Sequence, residues 1–250
     1  MRAFSAQVRA ETFMTLRRGE TLLLTVGIPV AFLLFFTTVH VVPTGVRHPV
    51  TFFVPGVLAL AIMSTAMVSL GIATGFERGY GVLKRLGSTP LGRPRLLGAK
   101  IVTVVLVELV QAAVLVPVGY GLGFHPGGGS RTPGSIATAS LEALAVAVLA
   151  TVAFGGLGLA LAGVLRAELN LAVANGLYLV LLLAGGMVVP VGKLPAGLGA
   201  LARVLPAAAL SDGLHAALGN GASVPLEAWV VLAAWAAATP LVAALTFRWE

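Results

Sequence analysis

The sequence predicts an all-α integral membrane protein, a single domain over residues 1–250 built on six crossing helices. Three observations predict it. Hydrophobic residues make up 58% of the 250 and charged residues only 10%, and the mean hydropathy is +1.00, which excludes an ordinary soluble domain. Six apolar stretches, 21–39, 50–75, 101–124, 136–165, 169–190 and 228–247, come close to or exceed the roughly 20 residues that a helix needs to cross a hydrocarbon core. The Lys and Arg residues fall almost entirely between these stretches, as loop charges beside membrane spans do.

In chain order, residues 1–20 carry Arg2, Arg9, Arg17 and Arg18 and read as an interfacial helix. Its apolar face is not clean, because Phe4 and Phe13 fall on opposite sides of a helical wheel. Pro43 and Gly45 end the first span. The second runs into 76–91, a basic, amphipathic segment. Wound as one helix, it places Phe76, Tyr80, Val82, Leu83 and Leu86 within an arc of about 160°, with Glu77, Arg78, Lys84 and Arg85 over about 120° of the other side. A segment of that kind lies on a surface and does not cross. With Arg93, Arg95 and Lys100, the stretch 76–100 holds six of the sixteen Lys and Arg residues. His125-Pro126-Gly127-Gly128-Gly129 separates the third and fourth spans, and 166–168 the fourth and fifth.

Residues 191–227 are too long for a turn, yet the apolar patches 194–205 and 207–218, broken by Pro195 and Pro206, are each too short to cross. Helices that enter the outer leaflet and return, or lie against it, satisfy the backbone there. Gly155, Gly156, Gly158, Ala160, Ala162 and Gly163 crowd the fourth span and imply close helix contact, within the chain or across a dimer seam. Pro29, Pro55, Pro117 and Pro240 predict kinks.

Charge sets the orientation. With both termini in the cytoplasm, twelve Lys and Arg residues lie inside and four, Arg47, Arg131, Lys193 and Arg203, outside, and this bias predicts a multi-pass plasma-membrane protein of that topology. A net charge of +7 with a pI near 10.8 would fit nucleic acid in a soluble chain. Here the basic residues sit beside apolar spans without interleaved aromatics, so anionic lipid is the expected partner and nucleic acid is not.

The inventory for chemistry on this chain is short. Cysteine is absent, and His40, His48, His125 and His215 lie at or beyond the outer boundary with no metal-ligand spacing. No metal or cofactor is expected here. No Gly-x-x-x-x-Gly-Lys-Ser/Thr loop occurs, and 92–100 fails its spacing. Glu108 and Gln111 lie inside the third span, about two turns from its cytoplasmic end. An ionisable group at such a position is a candidate functional site, and equally a structural hydrogen bond facing inward. A proton- or ion-coupled transporter using Glu108 is therefore one reading of the chain. A membrane enzyme fits poorly, since no cluster of Asp, His or Cys stands at the membrane face.

The basic segment also carries a resemblance. Glu77-Arg78-Gly79-Tyr80-Gly81-Val82-Leu83-Lys84-Arg85-Leu86 followed by Thr89-Pro90-Leu91 resembles the cytoplasmic loop of the type-2 ABC export permeases. Leu194-Pro195, then Leu205-Pro206 and the helix through Leu210 to Leu218, resembles that family's outer re-entrant region. The span count, the spacing and the basic N-terminal helix agree over nearly the whole chain. Two positions depart from the family pattern: Lys84 stands where an acidic residue is frequent, and Ala207-Ala208-Ala209 where an aromatic pair is. The resemblance implies that 76–91 is a coupling helix seated on an ATPase subunit, with Phe76, Glu77, Arg78, Gly79, Tyr80, Leu83, Lys84, Arg85, Leu86, Thr89, Pro90 and Leu91 at the contact. It implies two ATPase subunits that hold ATP and Mg, a second permease, identical or homologous, and an amphipathic, drug-like or lipid-like cargo, as in the drug-export branch.

Overall fold

The computed structural model describes residues 2–17, 19–39, 49–87, 92–126, 133–187 and 196–247. Among these there is no strand, and the helices are α1 (Arg2–Arg17), α2 (Gly19–Thr38), α3 (Pro49–Met63), α4 (Leu70–Gly79), α5 (Val82–Gly87), α6 (Arg93–Gly121), α7 (Pro133–Val164), α8 (Ala167–Ala184), α9 (Ala196–Ala202), α10 (Pro206–Leu214) and α11 (Leu226–Thr246). A π-helical turn at Ser64–Ser69 joins α3 to α4, and a second, His215–Asn220, extends α10. Five helical runs are long and apolar enough to cross a bilayer: Pro49–Gly79, Arg93–Gly121, Gly134–Val164, Ala167–Ala184 and Leu226–Thr246. The expected first span is represented by a shorter apolar helix, Leu23–Thr38.

Local chemistry explains where the helices start. Gly92 is extended and Pro94 stands in the first turn of α6, where a missing N–H costs nothing. Pro206 opens α10 in the same way after extended Leu205. The second span departs from expectation at its end. Its helix runs on to Gly79, Tyr80 leaves the helical region, and Gly81 turns the chain at φ 72° before α5 begins. Residues 76–86 are therefore two pieces at an angle, and the single wheel with one apolar face is not formed. A non-glycine residue would be strained at that φ.

The run through α3, the π turn and α4 is the axis of the bundle: 72% of its apolar window is buried, against 22% for α8 and for α11. The small residues of α7 pack against that axis and against α11. A Cβ on Gly158 would lie 2.5 Å from the Met67 carbonyl oxygen, and one on Gly156 would lie 2.5 Å from the Pro240 nitrogen. The glycine stripe thus forms seams inside the chain, backbone against backbone. Thr239 fastens one seam by donating its hydroxyl to the Ala153 carbonyl at 2.6 Å.

At the end of the bundle away from α1, the segment 206–220 folds back into the protein. Pro206 to Ser211, Gly213 and Leu214 are all buried, against α3, α7, α8 and α11. His215 lies within hydrogen-bond reach of the Phe52 carbonyl through Nε2 (3.0 Å) and of the Ser211 carbonyl through Nδ1 (2.7 Å). The first part of the expected outer segment, through residue 195, lies outside the described residues. α1 packs on α6, with Phe4 against Gly98. Phe13 is exposed, which accounts for aromatics on both sides of its wheel.

Candidate functional site

The basic end of the bundle gathers α1, the α4–α5 turn, the start of α6 and the α7–α8 turn. Two neighbouring residues of α4 tie these together. Arg78 donates through Nη1 to the Gly163 carbonyl and through Nη2 to the Leu165 carbonyl. These groups lie at the C-terminal end of α7, where a helix leaves carbonyls without partners and a cation also meets the negative end of the dipole. Glu77 takes a hydrogen bond from Lys100 Nζ at 2.7 Å, and the same ammonium is 3.0 Å from Glu11 Oε1. Lys100, only 2% exposed, thereby joins α1, α4 and α6 in one ion cluster. It is not a headgroup-facing loop charge, because α6 begins at Arg93 and Lys100 lies two turns inside it.

The remaining residues of the expected coupling segment differ in exposure. Leu83 is fully buried and joins the core cluster, which anchors α5 on the bundle. Tyr80, 76% exposed, stacks its ring on Phe76 with centroids 6.0 Å apart. Lys84, Arg85 and Gly79 are exposed, and Leu86 is half-buried. An open groove lies between the two turns at this end, lined by Gly75, Arg78, Gly79, Gly81, Lys84, Arg166, Ala167 and Glu168. Thr89, Pro90 and Leu91 lie outside the described residues. One tie had no sequence signal beyond being polar in an apolar span: buried Asn170 of α8 donates Nδ2 to the Gly71 carbonyl at 2.8 Å.

Fifteen residues separate Arg93 from Glu108, about 22 Å of helix, so Glu108 and Gln111 lie near the middle of α6. Gln111 donates Nε2 to the Thr25 carbonyl at 2.8 Å and meets Thr65 of the π turn at 3.2 Å. It therefore joins α2 and the axial helix to α6. Glu108 accepts the Thr151 hydroxyl at Oε2. Its Oε1 is buried without a partner. Both residues line a cavity of about 340 Å³ walled by α3, α6, α7, the end of α10 and the π turn after it. No group of three or more His, Cys, Asp or Glu able to hold a metal occurs among the described residues.

The model of the ABC-2 type transporter family matches residues 2–218. No curated protein matches the chain at a significant level. The family match covers the basic end, the polar pair at mid-span and the returning segment of α10 alike, and with the all-helical bundle it establishes that the chain belongs to the ABC-2 type transporter family.

Proposed function

We propose that this chain is the membrane-spanning subunit of an ABC exporter in the plasma membrane, with both termini in the cytoplasm. Two copies, or this chain and a homologous permease, join two ATPase subunits that bind ATP and Mg. The chain itself binds no nucleotide. Cargo of amphipathic, drug-like or lipid-like character moves between inward- and outward-facing states of the paired bundles.

The observation that carries this reading is the bonding of Glu77 and Arg78. An ATPase seated on α5 and the groove beside it, reaching Thr89, Pro90 and Leu91, presses on a turn that is already fastened to α1, α6 and α7. Leu83 fixes α5 to the core, and Phe76, Gly79, Tyr80, Lys84, Arg85 and Leu86 form the rest of the contact. A push at the turn is then shared by four helices instead of bending one. Glu77 and Arg78 serve in this account by passing the load inward, a role that suits their intramolecular partners better than direct contact with the ATPase.

Reconstitution tests the proposal: the chain is coexpressed with candidate ATPase subunits, purified as a complex, and assayed for accumulation of a lipophilic dye in inverted vesicles. ATP-dependent accumulation is expected. Flux that follows a proton gradient and proceeds without nucleotide would instead support ion coupling through Glu108.

A further inference from the structure

Glu108 is a carboxyl group near mid-span, 8% exposed, whose Oε1 has no hydrogen-bond partner. It lines a cavity of about 340 Å³ whose walls are otherwise mainly aliphatic, from Leu58 and Ile62 on the axial helix to Leu214 and Leu218 beyond it. That volume lies in the range of small-molecule sites. A buried oxygen without a donor is costly, and an apolar pocket holding one such group is satisfied by a ligand that brings the missing N–H on an apolar body. Among the described residues the wall holds no Lys, Arg or His, so no cationic side chain there pairs with the carboxyl group, whose Oε2 takes the Thr151 hydroxyl. Leu109, Leu144 and Val148, also in the wall, are exposed on the flank of α6 and α7. The cavity therefore has exposed apolar residues at its flank, within the length of the spans.

We propose that this cavity binds a lipid-soluble amine that arrives from the membrane, its apolar part against the leucines and its ammonium beside the Glu108 carboxyl group. The depth of Glu108 excludes the headgroup of a phospholipid held at normal depth, whose phosphate would have to follow its amine to mid-span. The inference names the chemical class of the cargo and rests on the permease reading for that word alone; the binding stands or falls without transport.

Dansylcadaverine, a primary amine on a fluorescent apolar body, is the probe, with its N-acetylated neutral analogue as control. Full-length chain in phosphatidylcholine nanodiscs is titrated by fluorescence. Saturable binding of the amine is expected, weakened at least about tenfold by Glu108→Gln, while the acetylated analogue binds weakly and equally to both proteins. Ala147→Leu, which fills the cavity and leaves the carboxylate in place, is expected to weaken amine binding as well. Equal binding of the amine to the native protein and to a folded Glu108→Gln variant would overturn the proposal. So would equal binding of amine and acetylated analogue to the native chain, or displacement of the amine by phosphatidylethanolamine added to the nanodiscs, which would assign the carboxylate to a headgroup. Each result is independent of ATP-driven transport, so failure here leaves the permease reading standing and failure there leaves this one.

Discussion

A single ammonium, that of Lys100, holds two carboxylates from two other helices at the basic end. Removing one member of a buried ion cluster leaves the others uncompensated, and Lys100→Met is expected to destabilise the protein by about 3–5 kcal/mol. Thermal melting in detergent measures this, and a melting temperature unchanged from the native protein would contradict it. At the opposite end, burial lowers the pKa of His215 from its ordinary 6.5, against the pull of the Ser211 and Phe52 carbonyls. The unfolded ring then takes its proton first as pH falls. This contribution to stability is full above pH 6.5 and declines below it, levelling once the folded ring also protonates. Melts at about pH 8 and about pH 5.5 should show the decline in the native protein and a smaller one in His215→Gln. Sequence marked Lys100 only as one more basic residue at a hydropathy boundary, and His215 as lying outside the spans. Neither the Lys100 cluster nor the Phe52 partner of His215 could be read there, because each is brought together by helices distant in the chain.

The elements themselves were more legible. The expected spans and the observed helices share their cores, since roughly 20 apolar residues between turn signals leave few alternatives to a crossing helix. The ends were less so. Hydropathy began the third span at 101, whereas Gly92 and Pro94 start α6 at Arg93. The 76–86 wheel failed for a related reason: periodicity was followed across Gly79-Tyr80-Gly81, where a glycine turn interrupts it. The crowded glycines of α7 signalled close packing, but only the fold shows that their partners are Met67 and Pro240 of the same chain. A side chain at Gly158 collides with backbone, not with a flexible neighbour, so Gly158→Leu should cost at least about 1–3 kcal/mol. Loss of folded protein by fluorescence-detected size exclusion, with Gly176→Leu retained as a control in open space, is the expected result.

For the whole molecule, the central claim is that load enters at the α4–α5 turn and reaches the bundle through Arg78 and the Glu77–Lys100–Glu11 cluster. The fold class and the family were legible in the sequence because composition and motif order carry them. The proposed route of force was not, since it consists of bonds between helices far apart in the chain. The most direct measurement is the number of cargo molecules moved per ATP hydrolysed by the reconstituted permease–ATPase complex, native against Arg78→Ala. The account predicts an intact complex that hydrolyses ATP at close to the native rate while transport falls by at least about tenfold, since the substitution removes both charge-assisted hydrogen bonds of the guanidinium. An unchanged ratio of transport to hydrolysis in the assembled Arg78→Ala complex would contradict it.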